Sequence, residues 1–226
     1  MRALAVAILL LAQTAMPFHA QVDHIVVAIR SLDEGVAAFQ KLTGVKPVAG
    51  GTHPGRGTEN ALVSLGDGRY LEIIAPQKGA ELGPQDRPMR DLTGLTIIAW
   101  AVSVSDAQDA RARLQKAGAT PSPITPGARV TPAGATLEWS TFGLMSPGID
   151  VAPFFIHWSA ATAHPSTTSP TGCTLSRLAV QDPAGADLTR ALGALGVQRV
   201  DVTAGPSAIT ATLACPSGPV TLRTSD

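Results

Sequence analysis

The sequence is poor in the features that mark whole classes of function. Aromatic residues make up only 4% of it, which leaves little surface on which nucleobases would stack. Neither sign of charge is in excess: 17 Lys and Arg balance 17 Asp and Glu, so there is no basic footprint for nucleic acid and no acidic tail. Cysteine occurs twice, at Cys173 and Cys215, in a spacing that suits no metal-ligand motif. The two either pair in an oxidising compartment or remain as buried free thiols. The apolar run Ala3 to Ala12 is too short to span a bilayer comfortably. By contrast, 22 glycines and 18 prolines among 226 residues imply many turns between short elements. A chain of this length buries a sizeable core, as one large domain or as two or three small modules.

Residues 1–20 stand apart from the rest. Arg2 precedes the apolar run, which has the length of the hydrophobic part of a secretory signal, and Ala20 is an acceptable residue before a cleavage point. The reading this favours is a removable leader, a mature chain starting near Gln21 in the periplasm or outside the cell, and no stable membrane span thereafter; the alternative is an uncleaved N-terminal anchor or a misplaced start.

The stretch Val22 to Pro76 sets a plan that the chain then repeats. His24, Val26 and Ala28 alternate with Ile25, Val27 and Ile29, the period of a strand with two faces. Ser31 and Glu34 form a capping box, Leu32, Val36, Phe39 and Leu42 give the buried stripe of a helix, and Gly44 ends it. A glycine-rich loop, AGGTHPGRGTEN, lets backbone approach a ligand but lacks the ending of a phosphate-cradling motif. ALVSL and RYLEIIA then flank a tight turn at Gly66-Asp67-Gly68. Pro76 to Leu92 reads as a linker.

At Leu95 the plan restarts. LTIIAWAVSV alternates, Ser105 and Gln108 form a second capping box, and Gly118 follows a helix over Ala107 to Ala117. Two strands in ARVTPAGATLEWSTF and a closing APFFIHWS complete it. Aligning the helix starts puts Ala99 where His24 stands, and His157 falls at the place of Glu72. Residues 160–172 read as a linker. A third copy follows over 173–226, with a helix over Ala184 to Leu195 capped by Asp182 and Pro183, and no counterpart of His24 or Glu72, which makes it structural. The expected organisation is a first βαβββ module over 22–92, a second over 93–159 and this third unit. The fold class is α+β, with mixed sheets joined into an open cup.

His24, Glu72 and His157 are polar residues inside apolar strands, costly to bury without partners. Either each is satisfied by its own hydrogen bonds, or one divalent metal ion, of unspecified identity, compensates all three. Two imidazoles and a carboxylate leave open positions on such an ion, to polarise a substrate oxygen or activate dioxygen. Glu72 and His53 are the candidate catalytic groups. His53 and Asn60 from the loop are placed to contact a small-molecule substrate, Tyr70 and Phe155 share faces with Glu72 and His157, and Arg56 or Arg129 would serve an anionic group.

These residues carry a family resemblance. DHIVVAIRSLDEG, HPGRGTENALVSLGDGRYLEIIAP and PFFIHW resemble the glyoxalase-like branch of the vicinal oxygen chelate superfamily, over roughly Val22 to Trp158 and more loosely in the third copy. The resemblance implies βαβββ modules paired into a cup around a divalent metal. Ligands from the first and last strands of each module would fall on His24, Glu72, Ala99 and His157. Ala99 cannot bind a metal and His157 replaces the more usual glutamate. Two outcomes stay in view: a metal-dependent lyase, isomerase or dioxygenase acting on a small oxygen-bearing molecule, and a protein that keeps the cup to bind or sequester a ligand.

Overall fold

The architecture follows from where the apolar alternation runs and where it breaks. The structure is a computed structural model describing residues 17–53 and 55–224. Strand β1 (Ala20–Ala28) is buried along nearly its whole length. Ser31 caps α1 (Leu32–Thr43) by accepting from the Glu34 amide, and Gly44 closes the helix at φ 78°. The helix sits rotated from the expected stripe: Gly35, Phe39 and Thr43 are its buried positions, and Leu42 is half exposed. Gly35 sets this rotation, since a Cβ there would lie 2.8 Å from Ile29 and 2.9 Å from Ile73, so the helix packs its backbone against the sheet. Strands β2 (Val48–His53), β3 (Thr58–Gly66) and β4 (Arg69–Pro76) complete the first unit.

The second unit repeats the order with β5 (Thr96–Val104), α2 (Ala107–Lys116), β6 (Thr125–Val130), β7 (Thr136–Phe142) and β8 (Phe154–Trp158). Its helix is capped by Asp106, whose carboxylate accepts from the Gln108 and Asp109 amides at 2.8 Å, rather than by Ser105. The Ser105 hydroxyl instead accepts from the His19 amide. All eight strands form one sheet in the order β2-β3-β4-β1-β5-β8-β7-β6. β1 and β5 run antiparallel at its centre, while β1 pairs with β4 and β5 with β8 in parallel. One face packs on the helices around Trp100, Phe39 and Phe155, and the other is the concave wall of a cup.

Two β-bulges locate the repeat. In β1 the partners of β5 step from Val22 to His24, leaving Asp23 unpaired; in β5 they step from Ala99 to Ile97, leaving Ile98 unpaired. The step along the chain that carries Ser31 onto Asp106 also carries Asp23 onto Ile98 and His24 onto Ala99. An extra residue in one strand reverses the alternation beyond it. Core-facing positions of β1 therefore change from Ala20 and Val22 to Ile25, Val27 and Ile29, and Asp23 and His24 sit together at the switch.

After α3 (Pro165–Thr168), a separate four-stranded sheet holds β9 (Thr174–Asp182), β10 (Asp201–Ala204), β11 (Ala208–Cys215) and β12 (Gly218–Arg223), with α4 (Gly185–Ala194) after β9. Its order is β10-β9-β11-β12, so this unit shares the succession of elements with the first two but not their strand arrangement. Asp182 accepts from the Ala184 amide ahead of α4, and from the Asp150 and Val151 amides of the second unit. Cys173 and Cys215 form a disulfide, their Cα atoms 4.2 Å apart. The segment read as the first linker contains a 3-10 helix over Pro84–Asp91, with Asp86 and Met89 buried.

Among the described residues, no helix is long and apolar enough to cross a membrane. The predicted leader lies mostly outside the described residues. At its end, the Phe18 ring packs against the core beneath the Arg113 guanidinium, 4.3 Å away, and Ala20 already belongs to β1.

Candidate active site

The cup is a cavity of about 730 Å³ lined by both halves of the large sheet. Its chemistry begins at the β1 bulge. Asp23 is fully buried, and its Oδ1 lies 2.5 Å from His24 Nδ1. Its Oδ2 accepts from Trp158 Nε1 at 3.1 Å and lies 3.0 Å from His164 Nε2. Burial pushes this carboxyl up, but the hydrogen bonds and positive charge of His164 and His24 outweigh it and hold the pKa at about 2. An ionised carboxylate only accepts, so His24 presents an Nδ1 proton to Asp23, and in its neutral form turns a bare Nε2 to the cup. Tyr70 stacks on the His24 ring at 4.4 Å and Phe154 meets it edge-on at 5.3 Å, so the ring has little freedom.

Glu72, on β4, faces the same space. Its Oε2 is 3.8 Å from His24 Nε2, and its Oε1 is 3.3 Å from His53 Nε2 and accepts from Asn60 Nδ2 at 2.6 Å. Burial would raise its pKa, yet the hydrogen bond and charge of His53, the charge of His24 and the Asn60 amide hold it well below the usual carboxylate range. His53 Nδ1 lies 3.0 Å from the Thr58 hydroxyl, which fixes that ring as well. Asn60 Oδ1 is buried without a hydrogen-bond partner. Gly50 makes room for it, since a Cβ there would lie 2.4 Å from that oxygen.

The predicted trio does not converge. His157 lies on the other face of β8 from the cup, its Nδ1 3.0 Å from the Val104 carbonyl, while its neighbours Ile156 and Trp158 line the cavity. Phe155 shares that outer face and is buried in the helix-side core, stacked on Phe142, where no substrate reaches it. Strand register explains the displacement. Val26 pairs with Glu72, and its counterpart Ala101 pairs with Phe154, so Phe154 stands where the second unit would carry its carboxylate. Tyr70, Arg56 and Arg129 do line the cup. Arg56 is committed to Asp86, which it meets at 2.6 and 3.1 Å. Burial, helped by the negative charges of Asp23 and Glu72, lifts the Tyr70 hydroxyl well above its ordinary pKa, so it stays protonated at neutral pH.

Two residues of this site were absent from the sequence reading. Asp23 directly precedes His24, a pairing visible in the sequence, but a strict alternation sends neighbours to opposite faces. His164 lies in the segment read as the second linker, and its only signal was being a histidine outside any periodic pattern.

Among the described residues, no three His, Cys, Asp or Glu side chains are already set as a metal-ligand cluster. The donor kinds nevertheless suit a divalent ion, since His24, His53 and Glu72 supply two imidazoles and one carboxylate. Each imidazole is close to Glu72, but they approach opposite oxygens, so a common point requires the side chains to rotate. The Asp23–His24 contact is the arrangement that orients a ligating imidazole.

Paired units of this topology, with a cup on the inner face of the joined sheet, define the vicinal oxygen chelate fold. The chain belongs to the glyoxalase-like domain family, whose model matches residues 22–196. No curated protein matches the sequence. Among solved structures, a hypothetical protein from Staphylococcus aureus is similar over 92% of this chain and 86% of its own, with 15% identity and a TM-score of 0.61. A variant of Streptomyces coelicolor methylmalonyl-CoA epimerase in complex with 2-nitronate-propionyl-CoA matches 62% of this chain and 97% of its own, with 18% identity and a TM-score of 0.44. The Mycobacterium tuberculosis methylmalonyl-CoA epimerase matches 61% and 87%, with 20% identity and a TM-score of 0.43. At 15% identity, the likeness to the Staphylococcus aureus protein is one of fold alone.

Proposed function

We propose that the cup is the active site of an exported, divalent-metal-dependent enzyme of lyase or isomerase type, moving a proton on a small oxygen-bearing molecule. The observation that carries this reading is the approach of His24 Nε2 and His53 Nε2 to the single buried carboxylate of Glu72, on the wall of a solvent-reachable cavity. His53 thereby takes the place that the sequence suggested for His157. A divalent ion held by His24, His53 and Glu72 would polarise a substrate oxygen and leave positions open for it.

The remaining roles belong to the protein's own groups. Asp23 holds His24 in one tautomer, with His164 and Trp158 fixing the carboxylate from behind. His53 and His24 keep Glu72 ionised, and Asn60 aims it. Phe154, Ile156 and Trp158 give the opposite wall an apolar character that strengthens charge interactions inside the cup. Export is supported by the Cys173–Cys215 disulfide, a bond typical of oxidising compartments, together with the short apolar run after Arg2.

A second reading, a ligand-sequestering protein, draws on the second unit's half of the site, where Ala99 and Phe154 stand in place of donors. Calorimetric titration of the purified protein with Mn(II) or Zn(II) separates the two. The enzyme reading expects one site that Glu72→Ala, His24→Ala or His53→Ala each weaken by tenfold or more, and that His157→Gln leaves unchanged. No binding by the unmutated protein contradicts it.

A further inference from the structure

We infer that Arg129 is the anchor for a carboxylate on the substrate, so that the ligand of this cup is a small organic carboxylate; this rests on the cup being the active site. Arg129 lies on β6 and lines the cavity, yet it is only 5% exposed. Among the described residues no carboxylate stands within ion-pair distance of it, whereas the other arginine of the cavity wall, Arg56, is bound to Asp86. Among the described residues its side chain makes one hydrogen bond, from Nη1 to the Gly50 carbonyl. Burial lowers its pKa, the mark of a charge that its surroundings do not fully compensate, although the Glu72 charge works the other way. Glu72 is already engaged by His53, Asn60 and His24 and is not a counter-ion for it.

The setting is built to hold the guanidinium in place. Strands β2 and β6 are the two ends of the eight-stranded sheet, and the contact from Arg129 to Gly50 ties one end to the other across the cup mouth. Gly51 has φ 133°, and a Cβ there would lie 2.6 Å from the Val130 carbonyl, so only glycine lets the two ends approach. With one nitrogen tied to Gly50, the planar fork keeps donors for a bidentate partner, the geometry that fits a carboxylate. The donors select the class. Among the described residues Arg129 is the one arginine of the lining without a carboxylate partner, and no α-helix lends amides to the wall, so a planar carboxylate is matched where a phosphate, with more oxygens to satisfy, is not. A carboxylate on Arg129 leaves the rest of a small molecule to extend toward His24 and Glu72 across the same cavity.

The test is ligand binding to the full chain, followed by NMR titration with lactate, pyruvate, lactamide and inorganic phosphate as probes. Lactate or pyruvate is expected to bind at least tenfold more tightly than lactamide, and more tightly than phosphate. Arg129→Met should abolish that preference, while Arg129→Lys should keep part of it, because the charge remains but the fork is lost. Glu72→Gln should keep carboxylate binding or strengthen it, since it removes a negative charge. Failure of Glu72→Ala to affect metal affinity thus speaks against the active-site reading alone, not against the anion site. Equal affinity for lactate and lactamide in the unmutated protein overturns the inference, whether or not Arg129→Met folds. So does an Arg129→Met variant with the parent's circular dichroism and undiminished lactate binding, or a preference for phosphate.

Discussion

Asp23→Asn is the substitution with the most to reveal, because one buried group supports both the fold and the site. The native carboxylate receives three donors, from His24, His164 and Trp158, and holds a pKa of about 2 against an ordinary 3.8. At about 1.4 kcal/mol per unit, that gap corresponds to roughly 2.5 kcal/mol of stability at neutral pH. The asparagine amide adds a cost of its own, since it keeps one acceptor and sets an N–H₂ against donors. Removing one partner of a buried charged cluster costs about 3–5 kcal/mol, and we expect the neutral-pH loss to fall in that range. The sign with pH follows from the depressed pKa. The stabilisation is complete above about pH 4 and disappears as pH falls toward 2. Urea unfolding of parent and variant, followed by tryptophan fluorescence at pH 5 and 3, should therefore show a gap that narrows at the lower value. Equal unfolding midpoints at pH 5, or a gap that widens from pH 5 to pH 3, would refute the reasoning.

Other perturbations bear on separate parts of the account. Replacing Cys173 and Cys215 by serine opens a crosslink between positions 42 apart and should cost about 4 kcal/mol by the loop-entropy relation, measured by urea unfolding with and without reductant. Gly50→Ala forces a Cβ to within 2.4 Å of Asn60 Oδ1, so it should weaken metal and carboxylate binding while the circular dichroism spectrum stays that of the parent. Intact mass of secreted or periplasmic material should show a chain shortened near residue 20. Recovery of the chain with Met1 in place contradicts export by cleavage.

Much of this site was legible in the sequence, and the misplaced parts share a physical cause. His24 and Glu72 stood out because a titratable side chain inside an apolar alternation needs a reason to be there. The same alternation hid Asp23, because period-two reasoning assumes an unbroken ladder and the bulge breaks it at that residue. Matching APFFIHWS to RYLEIIA by placement puts His157 at the place of Glu72, whereas strand register decides, and register puts Phe154 opposite Ala101. Leu42 was placed in the helix stripe by spacing alone, and the contact of Gly35 with the sheet turns that face outward. Both segments read as linkers supply site residues: Asp86 pairs with Arg56, and His164 reaches Asp23. Nothing in local composition distinguishes a spacer from a loop whose polar residues are claimed by a distant strand.

The most direct test of the central claim is anomalous diffraction from crystals of the protein soaked in Zn(II). The account predicts one strong peak between His24, His53 and Glu72, at roughly 2.0–2.2 Å from their nitrogen and oxygen atoms, with Asp23 still bonded to His24 Nδ1. A cup without a peak, or a peak at His157 on the far face of the sheet, would contradict it.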